Sequence, residues 1–401
     1  MEQQLYELPE GWEWRPLGEV ATLINGRAYK QKELLKEGPV PVLRVGNFFS
    51  NRSWYYSDLE LPPEKYCEEG DLLYAWSASF GPKIWRGPKA IFHYHIWKIV
   101  TSDLVDKYYL CHLLELDSAE IKAQGNGVAM THATKGGMEK RCLPLPPLNE
   151  QKRIVAKLDA IFARINTAIT HLQGTLELSK ALFASALNTE YRRSHSEWQT
   201  VSLEQVCSIT AKLADPREPE FIDMLHVGGA NIESLTGKLS GLKTAREEKL
   251  ISGKFPFDGR MVLYSKIRPY LMKVARPDSV GLCSADIYPL TPDNQLLFRD
   301  YLYYLLLTEN FTDYANQGSS RAGMPKVNRK HLFNYKFDIP PISVQKSIVA
   351  HLDALADHTR TLEAETLERL DQLTALKSSL LDAAFRGQLL THELKEVADA
   401  G

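Results

Sequence analysis

Two stretches of the chain combine glycine with basic and hydrogen-bonding residues in a way that suits contact with a nucleic acid. They run from Gln124 to Arg141 and from Gln317 to His331. Glycine allows close approach of another polymer, Lys and Arg neutralise phosphates, and Thr, Asn and His can hydrogen-bond to base edges. One such stretch alone would be better explained as an ordinary polar loop, but its recurrence favours DNA binding. The candidate residues are Thr131, His132, Lys135, Arg321, Lys326, Asn328 and Arg329.

A second pair of stretches, 74–83 and 264–270, places aromatic rings among hydroxyl groups and cations. Such a mixture suits a DNA groove, although the edge of a hydrophobic core would explain it nearly as well. Weaker candidates follow strand-like runs in corresponding parts of the two halves. They are candidates because Arg can read guanine and Asn can read adenine. The candidates of this pair are Tyr74, Trp76, Ser77, Lys83, Tyr264, Ser265, Lys266 and Arg268, and the weaker ones are Arg44, Asn47, His226 and Asn231.

The residue patterns of several common catalytic sites are incomplete. A phosphate-binding P-loop needs a hydroxyl residue after Gly-Lys, but the pairs at 237–238 and 253–254 precede Leu239 and Phe255. The three Pro-Pro pairs lack the flanking residues of an amino-methyltransferase motif. Glu247-Glu248-Lys249 resembles half of a nuclease site, but a solvated loop explains it better; His93 and His95 lack further metal ligands. We therefore expect a non-catalytic chain with no cofactor or metal of its own.

Composition bounds the class of protein. The chain has 401 residues, of which 44% are hydrophobic, and this length predicts two or three domains. Its 48 basic and 50 acidic residues leave a net charge of −2, so a polyanionic partner must be held by local patches. Five cysteines, an odd number with no close pair, indicate a reducing compartment. No apolar run approaches the roughly 18 residues that span a membrane, and the N-terminus is polar, so we expect a cytoplasmic protein.

An internal repeat organises the chain. The segment 146–160 recurs 194 residues later at 340–354, with ten of fifteen positions identical. Weaker similarities surround it; for example, Leu72-Leu73-Tyr74 resembles Val262-Leu263-Tyr264. The chain is therefore predicted to be a tandem of two units, each a globular part followed by a helix.

Each repeated segment predicts the start of a long helix. Two prolines fix an extended approach, and Asn149 and Ser343 then stand where N-cap oxygens are expected. Apolar residues recur every three or four positions for about ten turns, a pattern typical of a coiled-coil seam. Gly387 is a plausible stop for the second helix. Helices of this length measure roughly 60–70 Å.

The charges of the two helices indicate how they pair. Residues 149–193 carry seven basic and four acidic side chains, whereas residues 340–401 carry six basic and ten acidic ones. Opposite net charges favour pairing with each other, and we infer an intramolecular antiparallel coiled coil. Two separate homodimeric coiled coils are the alternative.

The expected fold class is α+β, a mixed α/β pseudo-two-fold repeat with two similar globular domains separated by the long helices. The predicted ranges are 1–145 for the first domain, 146–193 for the central helix, 194–338 for the second domain, 339–392 for the distal helix and 393–401 for a tail. Strands are predicted at 40–45, 71–76, 95–100 and 260–264. Shorter helices are predicted near 107–115 and 298–308.

The whole pattern resembles the specificity (S) subunit of type I restriction-modification systems. The resemblance is carried by Pro-Leu-Pro-Pro-Leu-Asn-Glu-Gln-Lys-Arg-Ile-Val at 144–155 and by its second copy, and it covers essentially the whole chain. The second copy departs from the first at Val344, where Glu150 stands in the first. The resemblance implies two target-recognition domains that each read half of a bipartite double-stranded DNA site.

The resemblance also implies partners. The paired helices would be a spacer and a docking surface for two methyltransferase subunits, and restriction subunits would join the assembly. S-adenosylmethionine, ATP and Mg²⁺ would belong to those partners. The repeated helix starts supply the candidate partner contacts, which are Gln151, Ile154, Gln345 and Ile348.

Two other functions fit parts of the pattern. A scaffold that docks an unrelated complex through its helices would show no salt-dependent affinity for DNA, whereas phosphate contacts require one. A DNA-modifying enzyme that works alone would methylate or cut DNA without partners.

Overall fold

The computed structural model describes residues 6–50, 53–77, 81–124, 134–193, 196–318 and 325–389, with side chains left out at 119–124. The chain divides into two compact units. The first comprises Met1–Leu172 together with Glu368–Gly401, and the second comprises Gln173–Leu367. Each unit therefore includes a part of both long helices.

The first unit combines short strands with helices of very different length. Its strands are β1 (Glu13–Pro16), β2 (Ala21–Asn25), β3 (Val40–Leu43), β4 (Tyr55–Ser57), β5 (Tyr66–Cys67), β6 (Leu72–Ala75), β7 (Gly81–Ile84), β8 (Ala90–Phe92), β9 (Ile96–Thr101) and β10 (Cys142–Leu145). Its helices are α1 (Leu17–Val20), α2 (Val45–Ser50), α3 (Lys107–Gln124), α4 (Lys135–Glu139) and the first part of α5 (Leu148–Arg192).

The second unit contains a matching series. Its strands are β11 (Gln199–Ser202), β12 (Cys207–Ser208), β13 (Leu225–Val227), β14 (Lys243–Thr244), β15 (Phe255–Phe257), β16 (Val262–Ser265), β17 (Val274–Ala275), β18 (Gly281–Cys283), β19 (Ile287–Pro292) and β20 (Lys336–Ile339). Its helices are α6 (Leu203–Val206), α7 (Arg299–Leu305), α8 (Glu309–Gln317), α9 (Arg329–Phe333) and the first part of α10 (Ile342–Phe385).

The two units share one sheet topology. In the first, the strand orders are β2-β9-β6-β7, β4-β3-β8-β5 and β1-β10; in the second they are β12-β19-β16-β17, β14-β13-β18-β15 and β11-β20. Adding ten to every strand number converts the first set into the second. The parallel pairs also correspond, since β3 runs parallel to β8 and β13 runs parallel to β18. The predicted tandem repeat and mixed α/β class are confirmed.

The strands β6 and β16 are inner strands of their sheets and consist of aliphatic residues, one tyrosine each and a small residue at the end. All four residues of each strand are buried, so both faces of the strand are covered. This corrects the assignment of Tyr74 and Tyr264 to a DNA surface, because their rings pack in the cores. Tyr74 stacks near Trp97 at 5.8 Å between ring centroids, and Tyr264 meets Phe311 edge-on at 5.5 Å.

The long helices begin one residue earlier than their predicted caps. The carbonyl of Pro147 accepts hydrogen bonds from the amides of Glu150 at 2.8 Å and Gln151 at 3.1 Å. The carbonyl of Pro341 does the same for Val344 and Gln345. The second proline of each pair is therefore the capping residue, and the N-cap prediction for Asn149 and Ser343 is wrong; both lie within the first helical turn.

A buried glutamine ties the start of each long helix to the unit in which that helix begins. The Gln151 amide nitrogen donates to the carbonyls of Pro146 at 2.8 Å and Leu104 at 3.0 Å, and its oxygen accepts from the amide of Asp106 at 2.7 Å. Gln345 makes the equivalent three hydrogen bonds, to Pro340, Leu296 and Phe298, at 2.8–2.9 Å. Both glutamines have no exposed surface.

The isoleucine three residues after each glutamine shares its buried helix face. Ile154 packs in the core of the first unit and Ile348 in that of the second. The four residues suggested as partner contacts therefore hold the start of each helix to the unit in which it begins, and they do not present a docking surface. They are Gln151, Ile154, Gln345 and Ile348.

In the first unit the two long helices run antiparallel. The Lys157 ammonium donates to the Leu389 carbonyl at 3.0 Å, while the Lys377 ammonium lies 4.9 Å from the centre of the Phe162 ring. In the second unit, Leu187 of α5 packs in one core with Ile348 and Leu352 of α10. The predicted pairing within one chain is thus confirmed.

The second long helix ends at the predicted glycine. α10 stops at Phe385, and Gly387 adopts a φ of +74°, a left-handed conformation that favours glycine. A Cβ at Gly387 would also lie 2.2 Å from a carbon of the Pro9 ring, so two separate constraints require glycine here. None of the helices in the described ranges is long and apolar enough to cross a membrane.

Replacing Gln345 with alanine leaves buried backbone groups without hydrogen-bond partners. We expect Gln345→Ala to lower the free energy of unfolding of the second unit by about 2–4 kcal/mol, measured by urea denaturation. Ser347→Ala is the control, because Ser347 lies on the same helix within the second unit and is exposed. Equal stability of the two variants would contradict the proposed tie.

The two core tyrosines predict opposite responses to loss of the hydroxyl group. The Ser118 hydroxyl contacts the Leu114 carbonyl at 2.6 Å and the Tyr74 hydroxyl at 3.0 Å, whereas the buried Tyr264 hydroxyl has no partner among the described residues. Tyr74→Phe should therefore destabilise the protein by about 1 kcal/mol, while Tyr264→Phe should be neutral or stabilising. Thermal unfolding of the two variants measures the difference, and equal losses would refute it.

Candidate nucleic-acid interface

Several of the sequence-predicted residues follow equivalent strands in the two units: Arg44 and Asn47 follow β3 and Asn231 follows β13, while Trp76 follows β6 and Lys266 and Arg268 follow β16. In the first unit, the loop between β8 and β9 joins the ends of β3 and β6, because the backbone amide of His93 donates to the Leu43 carbonyl and the backbone amide of Trp76 donates to the His95 carbonyl. In the second unit, the loop between β18 and β19 makes the matching bonds: the backbone amide of Ser284 donates to the Val227 carbonyl, and the backbone amide of Lys266 donates to the Asp286 main-chain carbonyl. We call these two loops the junction loops, residues 93–95 and 284–286.

The second unit brings two separate candidate stretches together. The amide of Arg268 donates to the Pro325 carbonyl, and the amide of Val327 donates to the Lys266 carbonyl, both at 2.9 Å. The segment after β16 therefore lies against the segment before α9. The basic side chains of these segments form the basic cluster, which we define as Lys266, Arg268, Lys326 and Arg329. Arg321, another candidate, lies outside the described residues.

The basic cluster has more positive than negative charge. Its lysine ammonium groups lie 3.4–3.5 Å from one oxygen of Asp286, the single carboxylate that pairs with the cluster in the described part of the chain. Burial lowers the pKa of Lys266, and the nearby Lys326 charge adds to this effect. Arg268, Lys326 and Arg329 are exposed. Four cations around one carboxylate leave charge that can neutralise phosphates.

Asn328 orients the start of α9. Its side-chain oxygen accepts a hydrogen bond from the His331 amide at 2.8 Å, so it is the N-cap of that helix. The cap places Arg329 at the first helical position. Asn328 therefore positions a cation, although the sequence had suggested it as a direct DNA contact.

The first unit has the same helix start with a different cap. The Thr134 hydroxyl accepts from the Gly137 amide at 3.2 Å, which places Lys135 at the first position of α4. Lys135 pairs with Glu139 at 3.6 Å. The neighbouring candidates Thr131 and His132 lie outside the described residues.

The junction loop of the first unit is aromatic. The Trp76 indole donates to the Tyr94 carbonyl at 2.9 Å, and its ring lies 5.0 Å from the His95 ring. Burial lowers the pKa of His93 to about 4, and the His95 and Arg44 charges contribute, so His93 is neutral at pH 7. Tyr94 is 39% exposed at the tip of this loop. The surface can therefore stack on or hydrogen-bond to bases.

Asn47 and Asn231 occupy equivalent positions. Their amides donate to the carbonyls of Arg44 and Gly228, each at 3.0 Å. Their side chains hold the local backbone: the Asn47 amide donates to Ser53, and the Asn231 amide donates to Ser240 and Gly241. These interactions position the loops and engage the groups that were expected to read adenine.

Arg44 and His226 do not correspond to one another. Arg44 is exposed, with its guanidinium 5.3 Å from the centre of the Tyr55 ring. His226 lies within β13 and is buried, and its Nδ1 is 2.9 Å from a Glu248 carboxylate oxygen. Burial lowers the pKa of His226 in spite of that carboxylate. Arg44 remains available to a ligand, whereas His226 is part of the sheet interior.

Three further candidates differ in their exposure. Ser77 and Ser265 are buried. Lys83 is exposed, but its ammonium group donates to the Phe48 carbonyl at 3.1 Å and so joins β7 to α2. The candidates that reach the surface with a cation or ring are thus Arg44, Trp76, Lys83, Lys135 and the basic cluster.

Sequence reasoning missed the junction loops. His93 and His95 had been considered only as metal ligands and rejected in that role, and Asp286 was not singled out. Among the described residues, no three His, Cys, Asp or Glu side chains are grouped to hold a metal. The available signal was the position of each loop in the chain. Each one follows the second strand of a parallel pair, β8 or β18, and precedes the next strand, β9 or β19.

Comparison with known proteins agrees with this organisation. Residues 9–177 and 195–372 each match the type I restriction modification DNA specificity domain. The chain is 27% identical over 417 residues to the type I restriction enzyme EcoDI specificity subunit of Escherichia coli, covering 96% of this chain and 90% of the relative.

Solved structures show the same fold. A chain from a structural study of complex assembly and conformational transition of the type I R-M system superposes with a TM-score of 0.74 at 21% identity, covering 96% of this chain and all of that one. The HsdS subunit from Thermoanaerobacter tengcongensis gives a TM-score of 0.53 at 21% identity, covering 96% and 99% of the two chains. With one matched domain in each repeat, the chain belongs to the family of type I restriction-modification DNA specificity proteins.

Proposed function

We propose that this chain is the DNA-recognition subunit of a type I restriction-modification complex, and that each unit reads one half of a bipartite site. The observation that carries the proposal is that the surface candidates Trp76 and Lys266 follow equivalent strands, β6 and β16, in two units with one topology. A repeated scaffold with different side chains at the same positions suits the reading of two different half-sites.

The two units offer different chemistry to DNA. In the second unit, the basic cluster supplies phosphate contacts that set register. In the first unit, Arg44 and Lys135 supply cations, while Trp76 and Tyr94 supply rings that suit base or sugar contacts. Affinity from phosphate contacts is sensitive to salt, so the second unit should contribute most of the salt dependence.

The long helices supply the other partner surfaces. We propose that two methyltransferase subunits dock on α5 and α10, that restriction subunits join this assembly, and that the helices set the spacing between half-sites. Large apolar side chains are exposed on the described helix faces, as a docking surface requires. They are Leu178, Leu182, Leu362, Leu367 and Leu376.

Catalysis and its small molecules are assigned to the partners. We propose that S-adenosylmethionine, ATP and Mg²⁺ bind to the methyltransferase and restriction subunits, and that this chain supplies recognition without catalysis. The family match supports this division, because both matched regions are DNA specificity domains.

Removing two exposed cations from the basic cluster should reduce the salt dependence of DNA binding. For Lys326→Ala combined with Arg329→Ala, we expect the slope of log affinity against log salt to fall by about 2, since each phosphate contact contributes about 0.9. Fluorescence anisotropy of the complex with its methyltransferase partner, over a series of salt concentrations, measures the slope.

Arg260→Ala is the matched control for this experiment. Arg260 is an exposed cation just before the start of β16, whereas the cluster follows the end of that strand. We expect the control to keep the wild-type slope. A wild-type complex whose DNA affinity does not depend on salt would instead favour a scaffold that does not bind DNA.

A further inference from the structure

A strained turn projects from the basic cluster of the second unit. It comprises residues 268–272, with a single 3-10 turn, Pro269–Leu271, at its centre. Arg268 and Met272 flank this turn with φ angles of +50° and +46°. Residues other than glycine adopt this left-handed region only at an energetic cost, and such strain clusters at sites of ligand binding.

The surrounding structure holds the turn in place. The amide of Arg268 donates to Pro325 at 2.9 Å, and the carbonyl of Met272 accepts from Leu235 at 3.2 Å. Inside the turn, Leu271 donates to Arg268 and Met272 donates to Pro269, both at 2.9 Å. Pro269 is buried, and the turn packs against α8. The backbone is therefore fixed at both ends before any ligand binds.

The side chains on this rigid base are exposed. Tyr270 at the tip is 52% exposed, which is unusual for a large aromatic ring in this unit, where tyrosines 264, 301, 303 and 304 are buried. Arg268 beside it is also exposed. A ring presented on a fixed backbone loses little conformational entropy on binding.

The charge around the turn identifies the ligand class. The turn begins two residues after Lys266, and the backbone at its start pairs with the segment that carries Lys326. A polyanion held by the basic cluster would therefore pass beside the Tyr270 ring. Duplex DNA satisfies both features, since its phosphates suit the cluster and its stacked bases suit the ring.

We propose that residues 268–272 are a preformed DNA wedge, in which the Tyr270 ring inserts against a base step of the half-site read by the second unit. Side chains that insert between base steps partly unstack them and kink the duplex. The wedge rests on the proposed function, and it adds a DNA distortion at one half-site that phosphate contacts alone would not produce.

The test uses the full chain in complex with its methyltransferase partner and a duplex that carries 2-aminopurine at successive steps of its target site. We expect the wild-type complex to raise the fluorescence of one step by about twofold or more, because unstacking relieves quenching. Tyr270→Ala should abolish this rise and weaken binding about tenfold, while Tyr270→Phe, which keeps the ring, should retain both.

Val280→Ala is the matched control, because it also truncates an exposed apolar side chain of the second unit. Val280 lies just before the start of β18, whereas Asp286, which pairs with the basic cluster, lies beyond the end of that strand. The control should behave as the wild type. If the wild-type complex binds its site and Tyr270→Ala gives the same fluorescence rise and the same affinity, the wedge is overturned but the proposed function is not. Wild-type binding that lacks sequence preference and salt dependence would overturn the proposed function and the wedge with it.

Discussion

A buried glutamine amide determines how each recognition unit is attached to its helix. Gln151 and Gln345, whose side chains have no exposed surface, each satisfy one backbone donor and two backbone acceptors. A backbone group that loses its hydrogen bond to the glutamine amide without gaining another partner costs its full desolvation penalty. The position of the helix start relative to these backbone groups therefore has little freedom. The strand ends that carry the candidate DNA contacts are consequently fixed relative to the start of the helix in the same unit. The proposed recognition of a half-site at a defined distance from the helix surface depends on this attachment.

The same scaffold supports two unlike surfaces because residues that differ between the two units lie at strand ends and in loops. Trp76 and Lys266 hold equivalent backbone positions, as do His95 and Asp286, since each pair makes the same main-chain hydrogen bond. The central strands β6 and β16 are buried on both faces and cannot change freely. The junction loops, by contrast, carry the partly exposed Tyr94 and the exposed Asp286. The two surfaces therefore differ in their side chains while they keep the same main-chain pairing.

The sequence predicted the large features better than the individual contacts. The two long helices and the tandem repeat followed from a 15-residue repeat and from apolar spacing, which are physical signals that persist over many turns. Tyr74 and Tyr264 were misassigned because a ring in a strand fits a core and a groove equally well, and only burial distinguishes them. The helix caps were misplaced because a proline carbonyl can replace a polar side chain as acceptor. The meeting of Lys266 with Lys326, and the position of Tyr270, depend on tertiary pairing that local patterns do not contain.

The central claim is that two equivalent units read two separate parts of one DNA site. Sequencing of modified bases in a host that carries this chain with its methyltransferase partner tests that claim most directly. The account predicts one motif with two defined blocks separated by a gap of constant length and undefined sequence. A single continuous motif, or a modification pattern that is unchanged when this chain is deleted, would contradict it.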